Sequence, residues 1–169
     1  SWIVKAYISI MRGTPLMLQL LLWYFGPFYL WGMNIGGYKF TAIILGCSLN
    51  YAAYFAEIYR SGIESIPVGQ YEAAEILGYG KAQTFFKIIL PQVIKRILPS
   101  VTNEVITLVK DTSLAFTLSV AEMFSIAKAL AASQTNMMPF VAAAVFYYIF
   151  NLVVAVAMEW IEKKLDYYR

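Results

Sequence analysis

The sequence predicts an all-α integral membrane protein: a helical bundle of four spans in a single domain over residues 1–169, with a cytoplasmic segment over residues 60–99. Three observations predict it. The 169 residues are 60% hydrophobic and only 14% charged, with a mean hydropathy of +0.63, whereas a soluble domain carries roughly a quarter charged residues. So little polar material cannot cover a globule in water, and lipid is the solvent that suits these apolar faces. The 13 Tyr, 11 Phe and 4 Trp fit the headgroup level, where aromatic side chains gather. Apolar runs also recur at the length of about 20 residues that crosses a bilayer.

The first run, residues 14–33 (TPLMLQLLLWYFGPFYLWGM), carries no charge. Its Pro15 suits a first helical turn, and Gly26-Pro27 is expected to kink or end the regular helix. The second, residues 40–58, holds one acid, Glu57, near its end. Residues 60–99 follow, too long for a simple connector. Within them a short helix is expected over 68–77, closed by Gly78 as a cap. A second is expected over 83–90, with Phe85, Phe86, Ile88 and Ile89 as its apolar side. Pro91 and Pro99 are then expected to bend the chain back toward the bilayer. The third run, residues 101–124, is the weakest by hydropathy because it holds Glu104, Lys110, Asp111 and Glu122. The fourth, residues 138–158, is uncharged.

Charge tests this arrangement. With the chain starting in the cytoplasm, Lys5, Arg12, Arg60, Lys81, Lys87, Lys95, Arg96, Lys163, Lys164 and Arg169 lie inside. Lys39 and Lys128 lie outside, and Lys110 lies in the membrane. Ten inside against two outside satisfies the positive-inside rule, with both ends of this chain cytoplasmic. The single cysteine, Cys47, allows no intrachain disulfide. Histidine is absent, which removes the commonest metal ligand and general base. With no nucleophile-elbow pattern either, an intramembrane enzyme is disfavoured, and nothing points to nucleic acid.

Residues 70–91, QYEAAEILGYGKAQTFFKIILP, carry the sharpest signal. Gly80-Lys81 suggests a phosphate loop, but the spacing G-x-x-x-x-G-K-[ST] would need glycine where Glu75 stands and a hydroxyl where Ala82 stands. Glu72-Ala73-Ala74, then Gly78, Ile88 and Leu90-Pro91 instead reproduce the pattern E-A-A-x3-G-x9-I-x-L-P. This resembles the membrane subunit of type I ABC importers. An amphipathic helix resting on lipid headgroups is the alternative, but it requires no such spacing. Arg12-Gly13-Thr14-Pro15 with Leu18-Gln19, Ala56-Glu57-Ile58-Tyr59-Arg60 with Gly62-Ile63, and Lys110-Asp111-Thr112-Ser113-Leu114 are similar to the polar amino acid uptake branch.

The resemblance implies a transmembrane permease domain in the bacterial cytoplasmic membrane, with a coupling helix whose Glu72, Ala73, Ala74 and Gly78 dock on an ABC ATPase. It implies a second permease subunit, identical or a close paralogue, and an extracytoplasmic substrate-binding protein. ATP and Mg would sit on the partner ATPase, with no cofactor bound by this chain. Members of this branch usually have five spans; the first would precede Ser1, and the missing methionine favours a fragment.

Charged side chains at mid-membrane cost roughly 2.5–3.5 kcal/mol each, so they face a cavity or a partner. Asn50, Tyr54 and Glu57 share one helical face by their i, i+4, i+7 spacing. Glu104 and Asp111 share another, with Leu108 between them, and Ser113 follows in the third motif. These seven residues are the candidate substrate path. Glu104 has no basic neighbour one turn away, and a substrate cation as its partner would point to a basic amino acid. Plainer roles compete: Glu57 pairing with Arg60, Lys110 neutralising Asp111, and Gln19 tying helices together. Ala42 with Gly46, and Ala52 with Ala56, have the small-residue spacing that lets helices approach. The rival function is an ion- or proton-coupled secondary transporter or channel using Glu104 and Asp111.

Overall fold

The computed structural model describes residues 2–165, and these are helical nearly throughout, with no strand among them. Arg169, counted above among the inner charges, lies outside the described residues. In order the elements are α1 (Trp2–Gly13), α2 (Leu16–Trp31), α3 (Lys39–Glu64), α4 (Val68–Ile76), α5 (Lys81–Thr84), a π turn (Phe85–Ile89), α6 (Leu90–Asp111), a 3₁₀ turn (Thr112–Leu118), α7 (Met123–Gln134) and α8 (Met138–Leu165).

Two helices are long and apolar enough to cross a membrane on their own, Lys39–Glu64 and Met138–Lys164. A third crossing forms only if the helical run Lys81–Leu118 is taken together with α7, from which it is bent by 59°. The 16 residues of α2 give about 24 Å of helix, shorter than a hydrocarbon core of about 30 Å. Gly26-Pro27 does not end α2, which runs on to Trp31 and stops at Gly32, φ +63°. There the Gly32 N–H donates to the Phe28 carbonyl at 2.9 Å.

Two other expectations are corrected. Pro91 and Pro99 do not end the helix: α6 starts around the first and runs through the second. The π turn makes this possible. Pro91 offers no N–H and its ring crowds the carbonyl four residues back; widening the preceding turn, with the Leu90 N–H bonded to the Phe85 carbonyl, relieves that crowding. Residues 101–124 are not one helix but the end of α6, the 3₁₀ turn, an extended break after Ser119 and the start of α7. Glu122 explains the restart. Its carboxylate accepts the Phe124 and Ser125 N–H groups at 2.7 and 2.6 Å, which satisfies orphan donors of the first turn.

The core has two parts. Leu20, Tyr24, Ala42 and Leu118 are buried where α2 and the 3₁₀ turn meet α3. Gly46 permits that approach, because a Cβ there would stand 2.7 Å from Leu20 Cδ2. Ile66, Ile89 and Val93, packed with Tyr71, Phe85 and Ile97, pin the α3–α4 turn to the foot of α6. Of the expected small-residue pairs, Ala42 and Gly46 are buried, while Ala53 rather than Ala52 faces inward. Most of α8 is exposed, with Phe146, Tyr148, Phe150, Val153 and Trp160 all more than half exposed.

Candidate functional site

The antiparallel pair α3 and α6 forms the frame. Tyr51 meets Asp111, Gly62 meets Ile97 and Ser65 meets Arg96, so rising numbers on one helix face falling numbers on the other. Two cavities stack along this groove. The upper one, about 510 Å³, is lined by Asn50, Tyr51 and Tyr54 of α3, Glu104, Thr107 and Asp111 of α6, Leu114, and the α1–α2 turn from Arg12 to Leu16. The lower one, about 550 Å³ and nearer the α3–α4 turn, takes Glu57, Ile58, Ser61, Gly62 and Ser65 from one side and Arg96, Ile97 and Ser100 from the other. Arg12 lines both.

A buried amide network fixes the upper wall. Gln19 and Asn50, 5% and 4% exposed, share a bond in which Asn50 Nδ2 donates to Gln19 Oε1 at 3.0 Å. Asn50 Nδ2 also donates to the Met11 carbonyl at 3.1 Å. Gln19 Nε2 donates to the Met11 carbonyl at 2.9 Å and to Thr14 Oγ1 at 2.7 Å. The carbonyl end of α1 is thereby held against α3, and Gln19 has the tying role expected of it. Nearby, the Tyr7 hydroxyl donates to the Leu49 carbonyl.

The charges are unequal. The upper cavity sets the Glu104 and Asp111 carboxylates against one guanidinium, Arg12. Asp111 accepts the Tyr51 hydroxyl at 2.7 Å, so its contact in the fold is a phenol and not the adjacent Lys110. Arg12 sits 5.4 Å over the Tyr54 ring, within cation–π range, and 3.8 Å from Glu57 Oε1. Glu57 is held mainly by Arg60, whose Nε donates to Oε2 at 3.1 Å; the expected pairing one turn away is present.

Of the seven candidate path residues, Asn50, Tyr54, Glu104 and Asp111 come together in the upper cavity. Glu57 lines the lower one. Leu108 and Ser113 line neither. Thr107 fills the place between Glu104 and Asp111, and the Ser113 hydroxyl donates to the Lys110 carbonyl at 2.8 Å. A seven-residue spacing admits either 107 or 108 on the intervening turn, and only the rotation of α6 decides between them. Arg12, Tyr51 and Thr107 were not singled out as path residues from sequence. Tyr51 adjoins Asn50 and lies one turn from Tyr54, which is a weak signal; the place of Arg12 depends on how α1 packs.

The helix α4 ends as its motif predicts. Gly78 has φ +78°, its N–H donates to the Glu75 carbonyl at 2.9 Å, and the Tyr79 N–H donates to the Ala74 carbonyl at 3.0 Å, closing the helix with a left-handed residue that glycine adopts freely. Glu72, Ala73 and Gly78 are exposed, whereas Ala74 is 1% exposed and faces its own chain. Beside them Ile76 and Leu77 are 85% and 72% exposed. Gln92 Nε2 donates to Gln70 Oε1 at 3.3 Å, a second tie between α4 and α6.

Comparison with known proteins adds an independent observation. Residues 1–167 match the family model described as binding-protein-dependent transport system inner membrane component. The L-cystine transport system permease protein TcyB of Bacillus subtilis (strain 168) is 36% identical over 99% of this chain and 71% of its own length. The arginine transport system permease protein ArtQ of the same organism is 38% identical over 97% of this chain and 74% of its own length. A crystal structure of an amino acid ABC transporter with histidines has a TM-score of 0.83 at 35% identity, covering 95% of this chain and 74% of the other.

Proposed function

The chain belongs to the binding-protein-dependent transport system inner membrane component family, and from that premise we propose that its upper cavity carries a polar amino acid inward by alternating access. It is a permease subunit of an amino acid ABC importer. Hydrolysis belongs to a separate ATPase subunit, which binds ATP and Mg. The single observation that carries the substrate reading is the meeting of Glu104, Asp111 and Arg12 around one cavity. An α-carboxylate finds a guanidinium there, and two carboxylates remain for ammonium or side-chain cations, which favours a basic amino acid. Relatives named for arginine and for cystine transport bracket the choice between charged and polar side chains. Family membership displaces the ion-coupled alternative for Glu104 and Asp111, since ATP supplies the driving force.

Four crossings, with α2 and the bent α6–α7 run each counted, place Arg60, Lys81, Lys87, Lys95 and Arg96 on the cytoplasmic side. The bilayer is the bacterial cytoplasmic membrane. A second permease subunit, identical or a close paralogue, completes the path, and an extracytoplasmic binding protein delivers the amino acid. The helix α4 is the coupling helix. Its exposed Glu72, Ala73 and Gly78, with Ile76 and Leu77 beside them, meet the ATPase, while Ala74 seats the helix on its own chain.

The test is ATP-driven uptake by the full-length complex in proteoliposomes. Glu104→Gln is expected to reduce uptake of L-arginine and L-lysine at least tenfold, the effect of losing about 1.4 kcal/mol, with a smaller effect on L-glutamine. Equal losses for all three would remove Glu104 from the cation's contacts.

A further inference from the structure

The two cavities differ in the sign of their charge. The upper one has two carboxylates and one guanidinium. The lower one has two guanidinium groups, Arg12 and Arg96, and one carboxylate, Glu57, which Arg60 already engages through two of its nitrogens. Excess negative charge above thus gives way to excess positive charge below, within one groove and with Arg12 on the boundary. Arg96 spends one donor on the Ser65 carbonyl, and a guanidinium has five. Ser61 and Ser100 add hydroxyls from its two sides. About 550 Å³ is within the range of small-molecule sites.

We infer that the lower cavity is a second station on the inward path, where Arg12 and Arg96 take the α-carboxylate of the amino acid after it leaves the upper cavity. The inference rests on the reading of the upper cavity as the first substrate site. Each station binds the half of the zwitterion that its charge favours. The upper one sorts by the cationic end, while the lower one recognises the group common to all amino acids and is indifferent to the side chain. Arg12, loosely held by Glu57 at 3.8 Å and lining both stations, can follow the carboxylate from one to the other. Both side chains are partly exposed and screened by water, so the guanidinium is free to exchange partners.

The experiment uses the full-length permease assembled with its ATPase in proteoliposomes, in a Cys47→Ser background. Thr107→Cys reports on the upper station and Ser100→Cys on the lower. The rate of labelling by a small charged thiol reagent is measured with L-arginine or with agmatine, which keeps the guanidinium side chain and lacks the carboxylate. At ten times the dissociation constant a ligand slows labelling about tenfold. L-arginine is expected to slow both positions, and agmatine to slow Thr107→Cys alone. Arg96→Ala is expected to abolish the L-arginine effect at Ser100→Cys while leaving it intact at Thr107→Cys, which also shows that the variant is folded. Equal protection of Ser100→Cys by agmatine, or no protection there by L-arginine when Thr107→Cys is protected, overturns the second station. Protection at neither position overturns the upper site and the station with it.

Discussion

Gly62→Ala tests the packing of α3 against α6 most directly. Gly62 lies where α3 crosses α6, and a Cβ there would fall 2.2 Å from Ile97 Cγ2 and 3.2 Å from Val93 Cγ1. Ile97 cannot swing aside, because a β-branched side chain in a helix has one strongly preferred χ1. The two helices must therefore separate, and such overpacking costs about 1–3 kcal/mol. Alanine returns up to about 1 kcal/mol of helix propensity, leaving a net loss near 1 kcal/mol. Gly69→Ala supplies the control, since Gly69 is also helical and nothing lies within 4 Å of its added Cβ; it is expected to stabilise by a few tenths to about 1 kcal/mol. Thermal unfolding of the purified full-length complex should place Gly62→Ala several degrees below Gly69→Ala, at about 2–4 °C per kcal/mol. Trimming the obstacle should relieve the clash, so Gly62→Ala with Ile97→Ala costs less than the sum of the two by about 1 kcal/mol. A Gly62→Ala protein as stable as the Gly69→Ala control would show that the crossing is looser than these distances state.

Three further substitutions separate the upper cavity from α4. Tyr51→Phe removes the hydroxyl that Asp111 accepts at 2.7 Å; loss of a bond to a charged group is worth about 1.5–3 kcal/mol, read as a lower melting temperature and an altered L-arginine affinity, and no change in either would refute the contact. Glu72→Ala and Gly78→Asp are expected to leave insertion intact while cutting uptake and substrate-stimulated ATPase activity, the second by forcing a side chain into φ +78° at a cost of about 1–2 kcal/mol; wild-type uptake in both would sever α4 from coupling.

Much of this was legible in the sequence because it rests on local spacing. The limits of α4 and its left-handed Gly78 follow from a motif whose residues are neighbours in the chain. Asn50 and Tyr54 on one helix, and Glu104 and Asp111 on the other, follow from helical period alone. What failed depends on contacts between distant residues. Pro91 reads locally as a bend, yet the π turn before it keeps the helix running, and packing against Ile66 holds that turn in place. Glu122 reads as a charge inside a span, and only the break after Ser119 turns it into a cap. Leu108 and Thr107 are equivalent by spacing until Tyr51 fixes the rotation of α6 through Asp111. Arg12 lies about forty residues from any other member of the groove on α3, and no periodicity links them.

The unbroken course of α6 through its two prolines gives the molecule a lever. Its foot is clasped by Ile66 and Ile89, and its far end carries Glu104, Thr107 and Asp111. From Ile89 to Asp111 is about 33 Å at 1.5 Å per residue. A tilt of about 5° at the foot therefore moves the Asp111 end by about 3 Å over that arm. That travel is longer than the bond joining Tyr51 to Asp111, so a small rotation beside α4 suffices to take one wall of the upper cavity away from the other.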